Sequence, residues 1–574
     1  MFCVTLLLTL SACEGEQGPA GADGADGTDG TNGTDGTNGT DGTNGNDGTN
    51  GNDGNDGMDG ADGAAGPQGP AGPQGSAGRD SAPPEGATPV EKALFGVGGA
   101  EILGSLETLR YEARGVQSAA GEGIEPDAEI DVGGFADVVS LDLAQDRVRV
   151  EGINNGFLFG NTNTFQFIID GDLGAGVGSE SAFGTPLGAL LSDRVASVKR
   201  ELSLLSPYGF LKALAEDPSL ATDEGLVLID GIPHHALRLG EGPSAVWLDV
   251  SAHTGRLSRL RTTAAEPLYC DVAVEVHFID WKSTEAGLWV PSSVLMSVDG
   301  HLVHEEARSN YAVNSAVQDA DFAFPEGVEP EYIAEDAERG AAWFPFLETF
   351  GHLGVPLEGA QTFVSPTELA PGVFLLGGGT HNSMAVEQSN GVVLFDPVLY
   401  PARSAAIKEW VQAQFPNKPI THVVISHHHT DHVGGVREFI ADGVTLVVSE
   451  HSADYFRDLG RASCEADPTQ ETPDQPARLL TVPEDGVFTL ADDLNPVEVY
   501  DVDNGHAGDL VFPYVPSSGV LFIVDVYSPG LQPFPLFANQ ARDSIDELEL
   551  NVSVIAGGHG GTSTLEAFDQ VLGR

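Results

Sequence analysis

Residues 418–443 read KPITHVVISHHHTDHVGGVREFIADG. The stretch opens on a β-like apolar run, places four histidines and an aspartate within 426–432 (SHHHTDH), and leaves through a glycine turn into a short helix. The histidines therefore occupy the loop between the C-terminal end of a strand and a helix. His427 and His429 are two apart in extended chain, so both rings can face the same way, and His428 between them faces the other way. Asp431 and His432 follow where the chain turns. Such a loop can offer two ligands to one cation and two to its neighbour. It cannot complete two coordination spheres, so further ligands are expected at other strand ends.

Four later or earlier runs meet that expectation. PVEVYDVDNGHAGD (496–509) ends a β run in a turn at His506, GVLFIVDVYSPG (519–530) carries Asp525 at its strand end, NVSVIAGGHGG (551–561) opens into glycines around His559, and NGVVLFDPV (390–398) places Asp396 at another tip. Short apolar strands that each deliver a polar group at one end describe a sheet sandwich with its site along one edge.

HHHTDH (427–432) carries the H-x-H-x-D-H motif of the metallo-β-lactamase superfamily, and His506, Asp525 and His559 follow in that family's order. The resemblance covers about 360–574. It implies an αββα sandwich with two metal ions, usually zinc, with iron or manganese as alternatives at the same ligands. By that resemblance His427, His429 and His506 hold one ion, Asp431, His432 and His559 hold the other, and Asp525 bridges them. It further implies hydrolysis of an ester, thioester, lactone, amide or phosphodiester bond in a small-molecule substrate, by a hydroxide that the two cations share, with Asp431 and Asp525 as the catalytic carboxylates. A closed structural zinc site would ask for cysteines, and this set has none. Asp396 is expected to orient a ligand or the loop. His381 and Asn382 in GGGTHNSMAVEQ (377–388), and Tyr527 after Asp525, are candidates to reach substrate or support the site. Arg437, Arg457, Arg461 and Arg542 are the nearby cations that an anionic substrate would need.

The rest of the chain is built differently. Its 86 acidic residues against 26 Lys plus Arg give a formal net charge of −60, which repels phosphate backbones and excludes nucleic acid as a partner. Between about 88 and 328, runs such as TFQFIIDGD and DVAVEVHFIDW alternate apolar with polar residues, the period of half-buried antiparallel strands. One helical stretch, ELSLLSPYGFLKALAED, interrupts them. This layout, with its WLDVSAHTGRL hairpin (247–257), resembles the lipoprotein-carrier (Lol-type) fold, which implies an incomplete β-barrel wrapped round a helix. Its histidines have no ligand spacing. Residues 329–358 read as a helical linker whose Trp343, Phe344 and Phe346 pack between domains.

The N-terminus reads as leader and stalk. MFCVTLLLTLSAC (1–13) has an apolar run too short to span a bilayer and suited to an export signal. Its LSAC ending resembles a bacterial lipobox, which implies lipidation at Cys13, anchorage to the outer membrane or cell surface, and a place in the cell envelope. From Gly15 to Gly78 every third residue is glycine, so 14–80 is either a collagen-like stalk, which would make the chain a homotrimer, or a disordered polar spacer. Cys270 and Cys464, in different domains, are expected to be free thiols. A cell-surface binding or adhesion lipoprotein with a secondary hydrolase domain is the other class of function left open by these features.

Overall fold

A computed structural model describes residues 82–574 apart from 127, 157–161, 181–185, 354–361, 460–462, 468–469, 471–475 and 532. The segment read as an export leader, Cys13, the glycine-repeat segment and Arg461 lie outside the described residues.

The first folded region is one antiparallel sheet of thirteen strands. Thr108–Ala120 lies at its middle, paired on one side with Glu129–Asp142 and on the other with His301–Val313. Six strands step outward from the middle to the edge at Ala189–Leu190, and seven return from the opposite edge at Ala221–Ile229. The segment joining the two edges is a pair of helices, Ser192–Leu205 and Tyr208–Glu216. Their Val195, Val198, Leu204, Leu205, Tyr208, Leu211 and Leu214 are buried in the same core as Tyr111, Val150, Phe167, Leu248, Val274 and Val294 of the sheet. The sheet thus curls round the helices and stays unclosed. Its one-sided burial explains the alternating sequence.

Several of the charges buried here are matched within the chain. Arg194 reaches Glu180 at 2.9 Å and Glu348 at 3.1 Å, Asp249 accepts from Arg259 and Arg261 at 2.9 and 2.8 Å, and Arg308 pairs with Glu306.

From Ser365 onward the chain builds two sheets. The first has seven strands ending at Arg478–Val482, the second six strands from Val487–Leu490 to Thr562–Ser563. Val373, Leu375, Met384, Val386, Val393, Phe395, Val424 and Val447 face the second sheet. Their neighbours Phe374, Leu376, Ala385, Val392, Leu394, Val423, Leu446 and Val448 face helices that contribute Ile407, Val411, Val436, Phe439 and Phe456. Helices Pro535–Glu547 and Leu565–Leu572 add Ala538, Ala541, Ile545 and Phe568 to the second sheet's core. This is an αββα sandwich. Because its strands are buried on both faces, they read as unbroken apolar runs.

The two regions are joined more tightly than a flexible linker would allow. Phe344 enters the core of the first region, whereas Trp343, Phe346 and Leu347 pack on Ala265, Val398, Leu399 and Tyr400. Trp343 Nε1 donates to Asp467 at 2.8 Å. Cys270 and Cys464 are not free thiols: they form a disulfide across 194 residues of sequence. The turn at Cys270 and the loop at 463–466 lie side by side, with Asp271 N donating to Ser463 O at 2.9 Å and the Asp271 carboxylate accepting from Glu465 N and Ala466 N at 2.9 and 2.7 Å. Sequence spacing does not reveal a pairing that only the packing of two domains creates.

Candidate metal centre

Strand Ile420–Val424 leads directly into the histidine loop, and Thr430–Val433 forms a single helical turn after it. The loop is pinned against the one following strand Val392–Phe395: Leu399 N donates to Asp431 O at 2.7 Å, and Gly435 N to Pro397 O at 2.8 Å. A Cβ at Gly434 would lie 1.8 Å from Leu399 O, which is why the turn after HHHTDH is glycine. Asp396 and Asp525 both sit at strand ends in the left-handed region, φ 52° and 37°. That is a conformation few non-glycine residues adopt outside functional or turn positions.

The side chains converge in two groups, His427, His429, His506 and Asp525 in one and His381, Asp431, His432 and His559 in the other, with ligand atoms within 4.8 Å of one another in each group. Asp525 lies between them. Its Oδ2 is 3.1 Å from the Nε2 atoms of His427, His432 and His506, and its Oδ1 is 2.7 Å from His559 Nε2.

Outward hydrogen bonds set which nitrogen faces inward. His432 Nδ1 donates to Asp396 Oδ2 at 3.1 Å, His559 Nδ1 to Thr380 O at 3.0 Å, and His429 Nε2 to Gly123 O at 2.9 Å. Ser426 Oγ donates to Asp396 Oδ2 at 2.7 Å and so accepts from His427 Nδ1 at 3.1 Å. Each ring thus turns its other nitrogen, a lone pair in the neutral form, toward the shared space. His427 Nε2 faces His506 Nε2 at 3.3 Å, and His432 Nε2 faces His559 Nε2 at 3.2 Å. Asp431 Oδ1 is buried with no hydrogen-bond partner among the described residues. Facing imidazole nitrogens, a ringed carboxylate and an orphaned carboxylate oxygen together form a donor set that fits a metal cation.

The electrostatics agree. Burial pushes His427 down to about 4 and His429 well below the usual imidazole range, keeping both neutral. Burial also opposes charge on His432, but Asp525 and Asp431 outweigh it and hold that ring's pKa high. Burial would raise Asp431 and Asp525, yet the surrounding imidazoles, His432 first, hold both carboxyls below their ordinary value. His427, His429 and His432 are buried, while His506, Asp525, His559 and Asp431 keep 14–18% of their side chains exposed. The centre is therefore open along one side.

The remaining sequence candidates divide. Asp396 is fully buried and ties Ser426 N (2.8 Å), Ser426 Oγ and His432 together. His381 enters the second group itself, with Nε2 donating to Asp431 Oδ2 at 2.7 Å and its ring 4.1 Å from that of His559. Asn382 is used by the site's own loops: its Nδ2 donates to Gly557 O and Gly560 O at 2.8 and 2.9 Å, stapling the glycine loop that carries His559. Tyr527 is also spent elsewhere, stacked 3.8 Å from Phe568 and bonded to Ser563 Oγ at 3.0 Å. His428 turns away into a buried pair with Asp509, 2.6 Å from Nδ1. Arg437 bonds Leu459 O and the Cys464 sulfur, Arg457 pairs with Asp454, and Arg542 with Asp546 and Asp569.

Sequence reasoning missed one participant altogether. Glu122, from the hairpin tip of the thirteen-stranded sheet, forms a third group with His429 and Asp431, its Oε1 accepting from Thr430 N at 2.9 Å. No local signal marks it, because only the docking of one domain on the other brings it there.

Comparison with known proteins agrees with this geometry. Residues 376–559 match the metallo-β-lactamase superfamily, and residues 11–88 match the collagen triple helix repeat. The chain is 27% identical over 82 residues to 2,4-dinitroanisole O-demethylase subunit alpha of Nocardioides sp. (strain JS1661), covering 14% of this chain and 25% of that protein. It is 36% identical over 56 residues to a linear primary-alkylsulfatase of Pseudomonas sp., covering 10% of this chain and 8% of that protein. The chain thus spans a quarter or less of these relatives. Among solved structures, a metallo-β-lactamase from Pontibacter korlensis is similar at 19% identity over 37% of this chain and 98% of its own, with a TM-score of 0.29. The mono-zinc form of FIM-1 metallo-β-lactamase from Pseudomonas aeruginosa is similar at 20% identity over 37% and 93%, with a TM-score of 0.29.

Proposed function

Starting from an enzyme domain of the metallo-β-lactamase fold with clustered metal-binding residues, we propose a two-metal hydrolase acting on a carbonyl ester, thioester, lactone or amide. The observation that carries this reading is Asp525, ringed by imidazole nitrogens of both groups at 2.7–3.1 Å. Two divalent ions held there, zinc by preference of the donor set, would polarise the substrate and bring a water toward a pKa of about 7. Asp525 joins the two halves of the centre. Asp431, anchored through Oδ2 to His381 and with no hydrogen-bond partner at Oδ1 among the described residues, would bind metal and help hold the attacking water in line. Asp396 and Gly123 O keep His432 and His429 in the tautomers that bind.

Substrate charge follows from the cations. Among the described residues, Arg437, Arg457 and Arg542 are committed elsewhere, so none of these three offers the guanidinium clamp that a phosphodiester or sulfate ester would favour. Purified protein loaded with zinc is to be screened against ester, thioester, lactone, amide, β-lactam, phosphodiester and alkyl sulfate substrates. Turnover of a neutral carbonyl substrate that chelation abolishes supports the reading. Metal-independent turnover, or none on any carbonyl substrate, overturns it.

We further propose export, with Cys13 lipidated and 14–80 holding the enzyme away from its anchor as a trimeric collagen-like stalk. The unbroken glycine period supports the stalk, and the Cys270–Cys464 disulfide supports an oxidising compartment. Mass spectrometry of the membrane fraction would find Cys13 as an acylated N-terminus, and a soluble product with residues 1–12 still attached would refute anchorage.

A further inference from the structure

The hairpin joining Thr108–Ala120 to Glu129–Asp142 does not end at a solvent turn. Its tip lies on the metal loops: Gly123 O accepts from His429 Nε2 at 2.9 Å, Glu122 Oε1 from Thr430 N at 2.9 Å, and Ile124 O from Gly508 N at 2.8 Å. Glu125 Oε2 adds a contact to His451 Nε2 at 2.6 Å. The path is a built close approach, since Gly121 has φ +72° and a Cβ there would lie 2.4 Å from Tyr269 Oη.

Glu122 is 8% exposed, and its Oε2 lies 3.7 Å from His429 Nδ1. The Gly123 carbonyl can only accept, so the proton of neutral His429 is on Nε2 and Nδ1 presents a lone pair. Oε2 therefore faces a lone pair, and Asp431 brings a second carboxylate within 4.8 Å of both. Two carboxylates and an imidazole lone pair, all taken out of water, repel one another unless a proton or a metal cation lies among them. We propose that Glu122 is a ligand to the cation at His429, so the N-terminal sheet completes the metal centre of the C-terminal domain. This rests on the two-metal reading above. With Glu122, three ligand carboxylates face the two divalent cations in place of two, which lowers the net charge of the centre and further favours neutral substrates.

The test uses the full chain loaded with zinc or cobalt. Glu122→Gln keeps an acceptor for Thr430 N but removes the anionic ligand, and Glu122→Asp keeps the charge but shortens the reach by one methylene. Competition with a chromophoric chelator is expected to show one equivalent bound about 10–100-fold more weakly in both variants. The cobalt visible spectrum is expected to gain intensity as the coordination number falls, and melting of the metal-free protein to stay as in the unmodified chain. Unchanged affinity and an unchanged cobalt spectrum in Glu122→Gln, in a chain that does load two ions, overturn the role of Glu122 and leave the two-metal reading intact. Full affinity in Glu122→Asp also overturns it. An unmodified chain that takes up no metal overturns both.

Discussion

The thirteen-stranded sheet and the αββα sandwich both bury charge, and they do so in opposite ways. In the first, Asp142, Glu180, Asp249 and Glu306 are each paired with an arginine. Burial alone would raise Glu306, but Arg308 outweighs it and holds the carboxyl down to about 2, and Asp249 has two guanidinium partners. In the second, Asp431 and Asp525 are surrounded by imidazoles and by one another, with no Lys or Arg among their strongest charge neighbours. A buried carboxylate without a fixed cation is costly. The first region supplies cations from its own side chains, and the carboxylates of the second stand among candidate metal ligands. The contrast separates charges paired within the fold from charges grouped where a metal would fit, and the second set is less completely hidden from water, 14–15% exposed against 0–4% for Asp249 and Glu306.

Removing the shared carboxylate is the strongest way to break the contrast. Asp525→Asn is expected to lower metal content and reduce turnover by about 10³-fold or more, since the several kcal/mol of metal-based stabilisation act through it. The fold should survive, as judged by circular dichroism.

The converse substitution in the first region should do the reverse. Arg308→Met leaves Glu306 buried without its partner and is expected to cost about 3–5 kcal/mol of stability, read by denaturant unfolding. Zinc content should stay as in the unmodified chain.

Acid sharpens the same point. The folded pKa of Glu306 is depressed to about 2 from an ordinary 4.5. Its contribution is therefore fully present above about 4.5 and is lost as pH falls through about 2, a loss of about 3 kcal/mol. Glu306→Gln, paired with Arg308→Met, should flatten the stability profile in that window and leave it unchanged above pH 5.

The smallest effect is expected at His428, which shares the motif's sequence but not its centre. His428→Ala should keep metal content and most activity, while the buried Asp509 carboxylate loses its 2.6 Å partner at about 1–3 kcal/mol. A dead His428 variant beside an active His427→Ala would mean that the loop register is misread.

Much of the second region could be read from sequence because its signals are local. Apolar runs bounded by turns mark strands buried on both faces, and the polar residue at each tip marks the edge where His427, His506, Asp525 and His559 meet. Alternation announced the first region's sheet in the same way. What sequence could not supply is whatever depends on one domain touching another. Cys270 and Cys464, or Glu122 and His429, are far apart in the chain and adjacent only after docking. Asn382 and Tyr527 show how packing divides such candidates: Asn382 is used by the glycine loop that carries His559, and Tyr527 by Ser563 and the core.

The most direct test is the transition-metal content of the purified full chain after zinc is supplied and the excess removed, measured by elemental analysis against protein concentration. The arrangement of ligands about Asp525 predicts close to two zinc ions per chain, falling toward none when His427 and His432 are both changed to alanine. One ion or none bound by the unmodified chain would contradict the two-metal centre.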